Sequence, residues 1–136
     1  MVGTHAHMVR VLLNLLWLTV GGGAVAALGY ALGGLVLCVT VVGIPFGVQA
    51  FKLAQLMLWP FGKDVVEDRQ APGSGLLGVL LNVLWFVAVG LVTAIAHLGF
   101  ALTLAVTIIG IPFAVQHLKF AVLAIFPFGK RIVDAG

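Results

Sequence analysis

Long apolar runs separated by short breaks fill almost the whole chain. Residues 9–32 and 35–59 form one pair of runs, divided by Gly33-Gly34. Residues 76–96 and 98–126 form a second pair, divided near His97 to Gly99. A helix of 24 or 25 residues is about 36 Å long, enough to cross a hydrocarbon core of roughly 30 Å with some tilt. The pattern predicts an all-α integral membrane protein with four transmembrane helices, built as two helical hairpins with tight turns at the two breaks.

The two hairpins are copies of one another. Gly43-Ile44-Pro45-Phe46 returns as Gly110-Ile111-Pro112-Phe113, and Gln49 and Lys52 return as Gln116 and Lys119. Pro60-Phe61-Gly62-Lys63 returns as Pro127-Phe128-Gly129-Lys130, all at an offset of 67. Upstream, Asn14-Leu15-Leu16-Trp17 matches Asn82-Val83-Leu84-Trp85 at an offset of 68, so one residue was gained or lost between the blocks. The sequence divides into a first repeat at 1–67, a polar linker at 68–76 and a second repeat at 77–136. Around the joint, Asp64, Glu67, Asp68 and Arg69 precede the turn-rich Ala71-Pro72-Gly73-Ser74-Gly75.

The second run of each repeat carries an interruption. Gly43 and Pro45, with Gly110 and Pro112, remove or weaken helical hydrogen bonding, which predicts a helix broken or kinked at Gly-Ile-Pro. Two paths remain open beyond it. One is a continuous kinked span. The other is a re-entrant segment followed by an interfacial helix over 47–59 and 114–126, because Gln49, Lys52 and Gln55 make a polar stripe there. Gly43 and Gly47 also form a small-residue pair suited to helix packing, and Gly29 and Gly33 form another.

Composition supports the membrane reading. Only 8% of the 136 residues are charged and 62% are hydrophobic, with a mean hydropathy of +1.25. A soluble domain carries about 25% charged residues. This excludes a disordered chain and a nucleic-acid binder built on a basic face, and argues against a conventional soluble enzyme. The net charge of +3 comes largely from Arg10, Lys63, Arg69, Lys130 and Arg131, which flank the apolar runs. With two spans per copy these residues share one side with both termini, so the positive-inside rule places the termini in the cytoplasm. Trp17, Trp59 and Trp85 lie within a few turns of that side, as an aromatic belt does. The apolar run after Arg10 is too long for the core of a cleaved signal peptide.

Candidate chemistry is sparse. Cys38 is the only cysteine and Ser74 the only serine, and the acids Asp64, Glu67, Asp68 and Asp134 all lie in loops or tails. No nucleophile–base–acid set can be assembled from them. The expectation is a non-enzyme with no catalytic residues, no cofactor and no metal. His5 and His7 read as a solvated tail, and His97 and His117 have no histidine counterparts in the first repeat. The repeated polar residues stand out instead. Asn14 and Asn82 each precede a tryptophan by one turn, and Gln49 and Gln116 each precede a lysine, Lys52 and Lys119, by three residues. Ionisable residues at membrane depth point to function or to snorkelling, so these six residues are the candidates for a polar path.

Two copies of Gly-Ile-Pro-Phe followed by Gln and Lys, each closed by Pro-Phe-Gly-Lys, resemble the YccF family of small bacterial inner-membrane proteins. The resemblance spans both repeats and implies an inner-membrane location. It implies no activity and carries over no functional residues. The leading expectation is a homo-oligomer that forms a channel or transport path between subunits in the lipid bilayer. The alternative is a structural or accessory protein that binds a larger membrane-protein partner or anionic lipid. No nucleic-acid partner is expected.

Overall fold

The structure, a computed structural model, describes residues 2–71 and 74–135. Six α-helices run α1 Val2–Thr19, α2 Gly23–Val39, α3 Ile44–Leu58, α4 Gly75–Trp85, α5 Leu91–Val106 and α6 Ile111–Ile125. A π-helical turn, Phe86–Gly90, joins α4 to α5. Two strands that the apolar pattern did not predict, β1 Lys63–Glu67 and β2 Lys130–Asp134, pair as a small sheet. Contacts divide the chain into two compact units, Met1–Asp64 with Ile132–Gly136, and Val65–Arg131. The last residues of the chain therefore belong with the first repeat. Residues 68–71 and 74 are more than a polar linker. Asp68 N–H donates to Gly129 O at 2.8 Å, and Ser74 Oγ donates to Arg69 O at 2.6 Å.

In the first unit α1 and α2 meet at 67°. Gly22, at φ 83°, takes the left-handed conformation that ends α1 and allows α2 to restart. A side chain at Gly21 would meet the Trp17 backbone at 2.9 Å, and one at Gly23 would meet the Trp17 indole. The bend is thus shaped around one buried tryptophan. The second unit meets the same demand differently. There Gly90 lies under Trp85, where a Cβ would sit 3.0 Å from the ring, and the chain stays helical through the π turn. Trp17 precedes Gly23 by six residues and Trp85 precedes Gly90 by five. The change of offset from 68 to 67 falls here, so a one-residue difference separates a broken helix from a bulged one.

The hairpin turns are not where the apolar runs divide. Helix α2 continues through Gly33-Gly34, and α5 continues through His97 to Gly99. The turns lie at 40–43 and 107–110, on the Gly-Ile-Pro element itself. This corrects the expected break or kink inside a helix. Gly43 and Gly110 are N-caps, and Pro45 and Pro112 stand in the first turn of α3 and α6. A proline there sacrifices no bond, because the first amides of a helix have no intrahelical acceptor. The glycines are required by crowding: a Cβ at either would lie 2.5 Å from the carbonyl oxygen of Leu37 or Leu104.

Thr40 locks the first turn. Its hydroxyl donates to Leu37 O at 2.6 Å and accepts from Gly43 N–H at 2.9 Å. Thr107 repeats both bonds with Leu104 and Gly110, at 2.6 and 3.0 Å. Val41 and Ile108 sit at φ 64° and 65°, a left-handed conformation that costs a β-branched residue about 1–3 kcal/mol. The hydroxyl bonds and the packed helices behind them hold that strain.

Helices α2 and α3 touch backbone to backbone. A Cβ at Gly47 would meet Cys38 Sγ and lie 2.8 Å from Gly34 O. Gly29 and Gly33, the other expected packing pair, face open space with nothing within 4 Å. In the second unit, buried Ala101 and Ala114 replace Gly34 and Gly47. The helix Gly75–Val106 is long and apolar enough to cross a membrane on its own, and α1 with α2 passes as a bent pair. Helices α3 and α6, of 15 residues each, are about 22 Å long, short of a roughly 30 Å core. At the other end of the first unit the start of β1 meets the end of β2. Gly62 O accepts from Ala135 N–H at 2.8 Å, and Lys63 pairs with Asp134. That contact holds the Asp134 carboxyl below its usual range, chiefly through the hydrogen bond from Lys63.

Two glycine substitutions separate these roles. Gly47→Ala should lower stability by about 1–3 kcal/mol through overpacking. Gly29→Ala should be neutral or stabilising by up to about 1 kcal/mol, because alanine is the better helix former. Thermal unfolding in detergent reads both.

Candidate functional site

Asn14 and Trp17 lie three residues apart on one face of α1, and that face meets the end of α3. The Asn14 amide donates to Phe61 O and accepts from Phe61 N–H, both at 2.9 Å. The Trp17 indole N–H donates to Met57 O at 2.6 Å. Its ring stands edge-on to Phe61, at 74° and 6.4 Å between centroids. Asn14 and Trp17 are both fully buried. The second unit repeats the arrangement. Asn82 donates to Phe128 O at 3.3 Å and accepts from Phe128 N–H at 2.9 Å, and Trp85 donates to Ala124 O at 2.6 Å. Trp85 and Phe128 meet at 76° and 6.4 Å.

The chemistry explains the residue types. The last carbonyls of a helix lack intrahelical donors, and Pro-Phe-Gly continues no helix. A carboxamide carries a donor and an acceptor side by side, so one side chain can serve both the N–H and the C=O of a single residue. The indole serves a carbonyl at the end of the preceding helix and fills the space around it. Asn14 and Asn82 are therefore engaged with the chain's own backbone.

The other polar candidates are placed differently. Gln49 and Lys52 are half-buried on one face of α3, and Oε1 of Gln49 is buried with no hydrogen-bond partner. Gln116 is half-buried and Lys119 exposed on α6. His5 and His7 are exposed within α1, so that stretch is helical and no loose tail.

Sequence reasoning missed one buried pair. Nδ1 of His97 lies 2.9 Å from Nδ1 of His117, so one ring donates and the other accepts. Phe100 stacks on His117 at 4.8 Å and 8°. Tyr30 and Ala50 hold the equivalent positions in the first unit, and both are buried. The misplaced turn hid this pair. With the turn at 107–110 the two histidines fall on facing helices, whereas a turn at 97–99 places His97 in a loop. Among the described residues no group of three or more His, Cys, Asp or Glu side chains is arranged to hold a metal.

The duplicated clasp and turn accompany a duplicated family match. Residues 12–63 and 80–130 each match YccF, described as an inner membrane component domain. The chain belongs to the YccF family. It is similar to the inner membrane protein YccF of Escherichia coli (strain K12), 30% identical over 131 residues, covering 92% of this chain and 88% of the relative. The inner membrane protein YccF of Shigella flexneri matches with the same identity and coverage. Neither relative's name assigns a reaction. No solved structure matches the chain. Both matched segments start two residues before the clasping asparagine and end at the lysine of the Pro-Phe-Gly-Lys exit, so the YccF unit is the clasped hairpin. Membership makes this an inner-membrane protein.

Removing the clasp should expose its weight. Asn14→Ala removes the partner of Phe61 N–H and C=O in a part-buried place and should cost about 1–3 kcal/mol. Trp17→Phe should cost a comparable amount by orphaning Met57 O and leaving a gap. Shifts in unfolding temperature in detergent check both, with Gln55→Ala, an exposed position, as the unchanged control.

Proposed function

We propose that the protein is a non-enzymatic structural component of the inner membrane, in which each repeat is a hairpin wedge inserted from the cytoplasmic side with its tip inside the apolar layer. The observation that carries this reading is the character of the tips. The outermost side chains of the first turn, Val41, Val42 and Ile44, are 70%, 85% and 44% exposed. Ile108, Ile109 and Ile111 repeat the pattern in the second. A turn in water presents polar residues; these present branched hydrocarbon. Irregular backbone in hydrocarbon needs internal partners. Here the amides of residues 40 to 44 and 107 to 111 all donate within the protein.

The clasp fixes the foot of α3 and α6, and helices about 22 Å long favour tips that stop short of the far side. Arg10, Lys63, Arg69, Lys130 and Arg131 at the feet favour a cytoplasmic entry with both termini inside. Four complete spans are the competing topology. Copies then meet through the exposed apolar flanks, with Gly29 and Gly33 open for close approach.

A channel between copies is the second reading. The unpartnered Gln49 Oε1 favours it, because a buried acceptor without a donor is satisfied where an adjoining subunit or water supplies one. Gln116, Lys52 and Lys119 complete that polar set.

Thiol labelling tests the wedge. Val42→Cys and Ile109→Cys, in a Cys38→Ser background, should resist a membrane-impermeant maleimide added to intact spheroplasts. Gln70→Cys should react only after lysis. Labelling of residues 42 and 109 from outside would replace the wedge with four complete spans.

A further inference from the structure

The two repeats differ at one place in a way that creates a binding site. In the first unit Arg10, one turn before Asn14, lies across the Pro-Phe-Gly exit. Its side chain is the nearest neighbour of Gly62, where a Cβ would lie 3.2 Å from Arg10 Cδ. Its guanidinium donates to Ala135 O at 3.5 Å. The residue one turn before Asn82 is Gly78, which has no side chain. A cavity of about 610 Å³ opens there, with Gly78, Asn82 and Gly129 in its lining. The partner position changes as well: Ala135 of the first unit corresponds to Asp68 in the second, each donating its amide to the equivalent glycine carbonyl. The first unit thus holds an arginine beside a neutral residue. The second holds a glycine in place of the arginine, beside Asp68, whose carboxylate accepts from Gln70 N–H at 3.0 Å and lies 4.0 Å from Arg131 Nε.

We propose that this cavity binds the headgroup of a zwitterionic phospholipid with a primary ammonium, of the phosphatidylethanolamine class, and that Arg10 is the built-in counterpart of that ammonium in the first repeat. The rim supports the assignment. Glu67, Asp68, Arg69 and Lys130 all line the cavity, two acids and two bases, which favours a zwitterion over an ion of either sign. The ammonium takes the place of the guanidinium, near Asp68 and the Gly129 backbone, and donates hydrogen bonds as Arg10 does. A quaternary ammonium has no N–H to donate. The phosphate falls to Arg69 and Lys130. Exposed Val79 and Val83 of α4, with Phe126, form the remaining wall. They continue into exposed Leu76 and Leu80 along the helix, a path for acyl chains that a soluble headgroup would not use.

The proposal rests on the reading of this end of the unit as the membrane boundary, but not on where the hairpin tips lie. Lipid selectivity and tip labelling therefore fail separately. Native mass spectrometry of the full chain in detergent, with POPE, POPC or POPG added singly, tests it. One POPE per chain should be retained with about tenfold preference over the other two. Gly78→Arg, which places the first repeat's plug in the second, should abolish the preference. Arg10→Gly alone should leave retention at one POPE, because Ala135 supplies no carboxylate there, and a second POPE gained by that variant would overturn the role given to Asp68. Arg69→Glu, at an exposed position, should weaken retention without altering the fold seen by circular dichroism.

Equal retention of POPC and POPE would overturn the proposal, as would full POPE preference in a folded Gly78→Arg variant. If Gly78→Arg does not fold, Arg69→Glu decides, and unchanged POPE preference there overturns the site. Displacement of POPE by soluble glycerophosphoethanolamine at equal concentration would overturn the assignment to a lipid.

Discussion

A single side-chain amide holds both polar groups of one backbone residue, twice in this chain, and much of the architecture depends on that contact. A hairpin of two apolar helices has little to fix its depth or register, since hydrocarbon contacts are forgiving of sliding. Asn14 on Phe61 and Asn82 on Phe128 supply two directional bonds at one point. The indoles of Trp17 and Trp85 add a third, one helical turn away. In a dry environment an unserved backbone group is costly, so a displaced clasp leaves several such groups at once. The clasp determines where the return helix stops and where the chain exits toward β1 and β2.

The copies solve shared problems with different residues. Glycine at 34 and 47 brings α2 and α3 into backbone contact, while alanine at 101 and 114 adds a layer of methyl groups between α5 and α6. Tyr30 with Ala50 in one unit answers to His97 with His117 in the other, a large and a small side chain against two of middle size. Conserving volume this way keeps a core packed. The clasp, the hydroxyl-locked turn and the tryptophan seat all recur, and these are directional or strained features with few substitutes.

The sequence carried the duplication, the membrane character and the importance of Asn, Trp and Gly-Ile-Pro plainly, because repeats and hydropathy are linear properties. It did not carry the roles. Gly33-Gly34 looks like a turn, yet in a helix buried against a partner glycine serves close approach, and Gly34 does this with Gly47. Gly-Ile-Pro looks like a mid-helix break, yet Thr40 and Thr107, three residues ahead of each glycine, provide the hydroxyl that makes it a turn and an N-terminus. That Thr-x-x-Gly spacing was visible and is the signal that places the hairpins. Asn14 and Asn82 read as polar residues facing a path, because nothing local reveals a bonding partner 46 or 47 residues away. The strands were hidden by their length. Five residues of mixed charge beside Pro-Phe-Gly-Lys give no alternating pattern strong enough to stand out.

The division of the chain into units has a consequence for its synthesis. The first unit includes residues after 131, so the first repeat to leave the ribosome lacks part of its own foot until the second has been made. Its helices can pair early, since α2 and α3 are neighbours in sequence. But Lys63 waits for Asp134, and Gly62 for Ala135. During that interval the basic foot around Arg10 and Lys63 has fewer internal partners and is open to the membrane surface or the insertion machinery. The second unit, contained within Val65–Arg131, can close as it emerges. Maturation of this protein thus runs out of order along the chain, with the N-terminal repeat completed last.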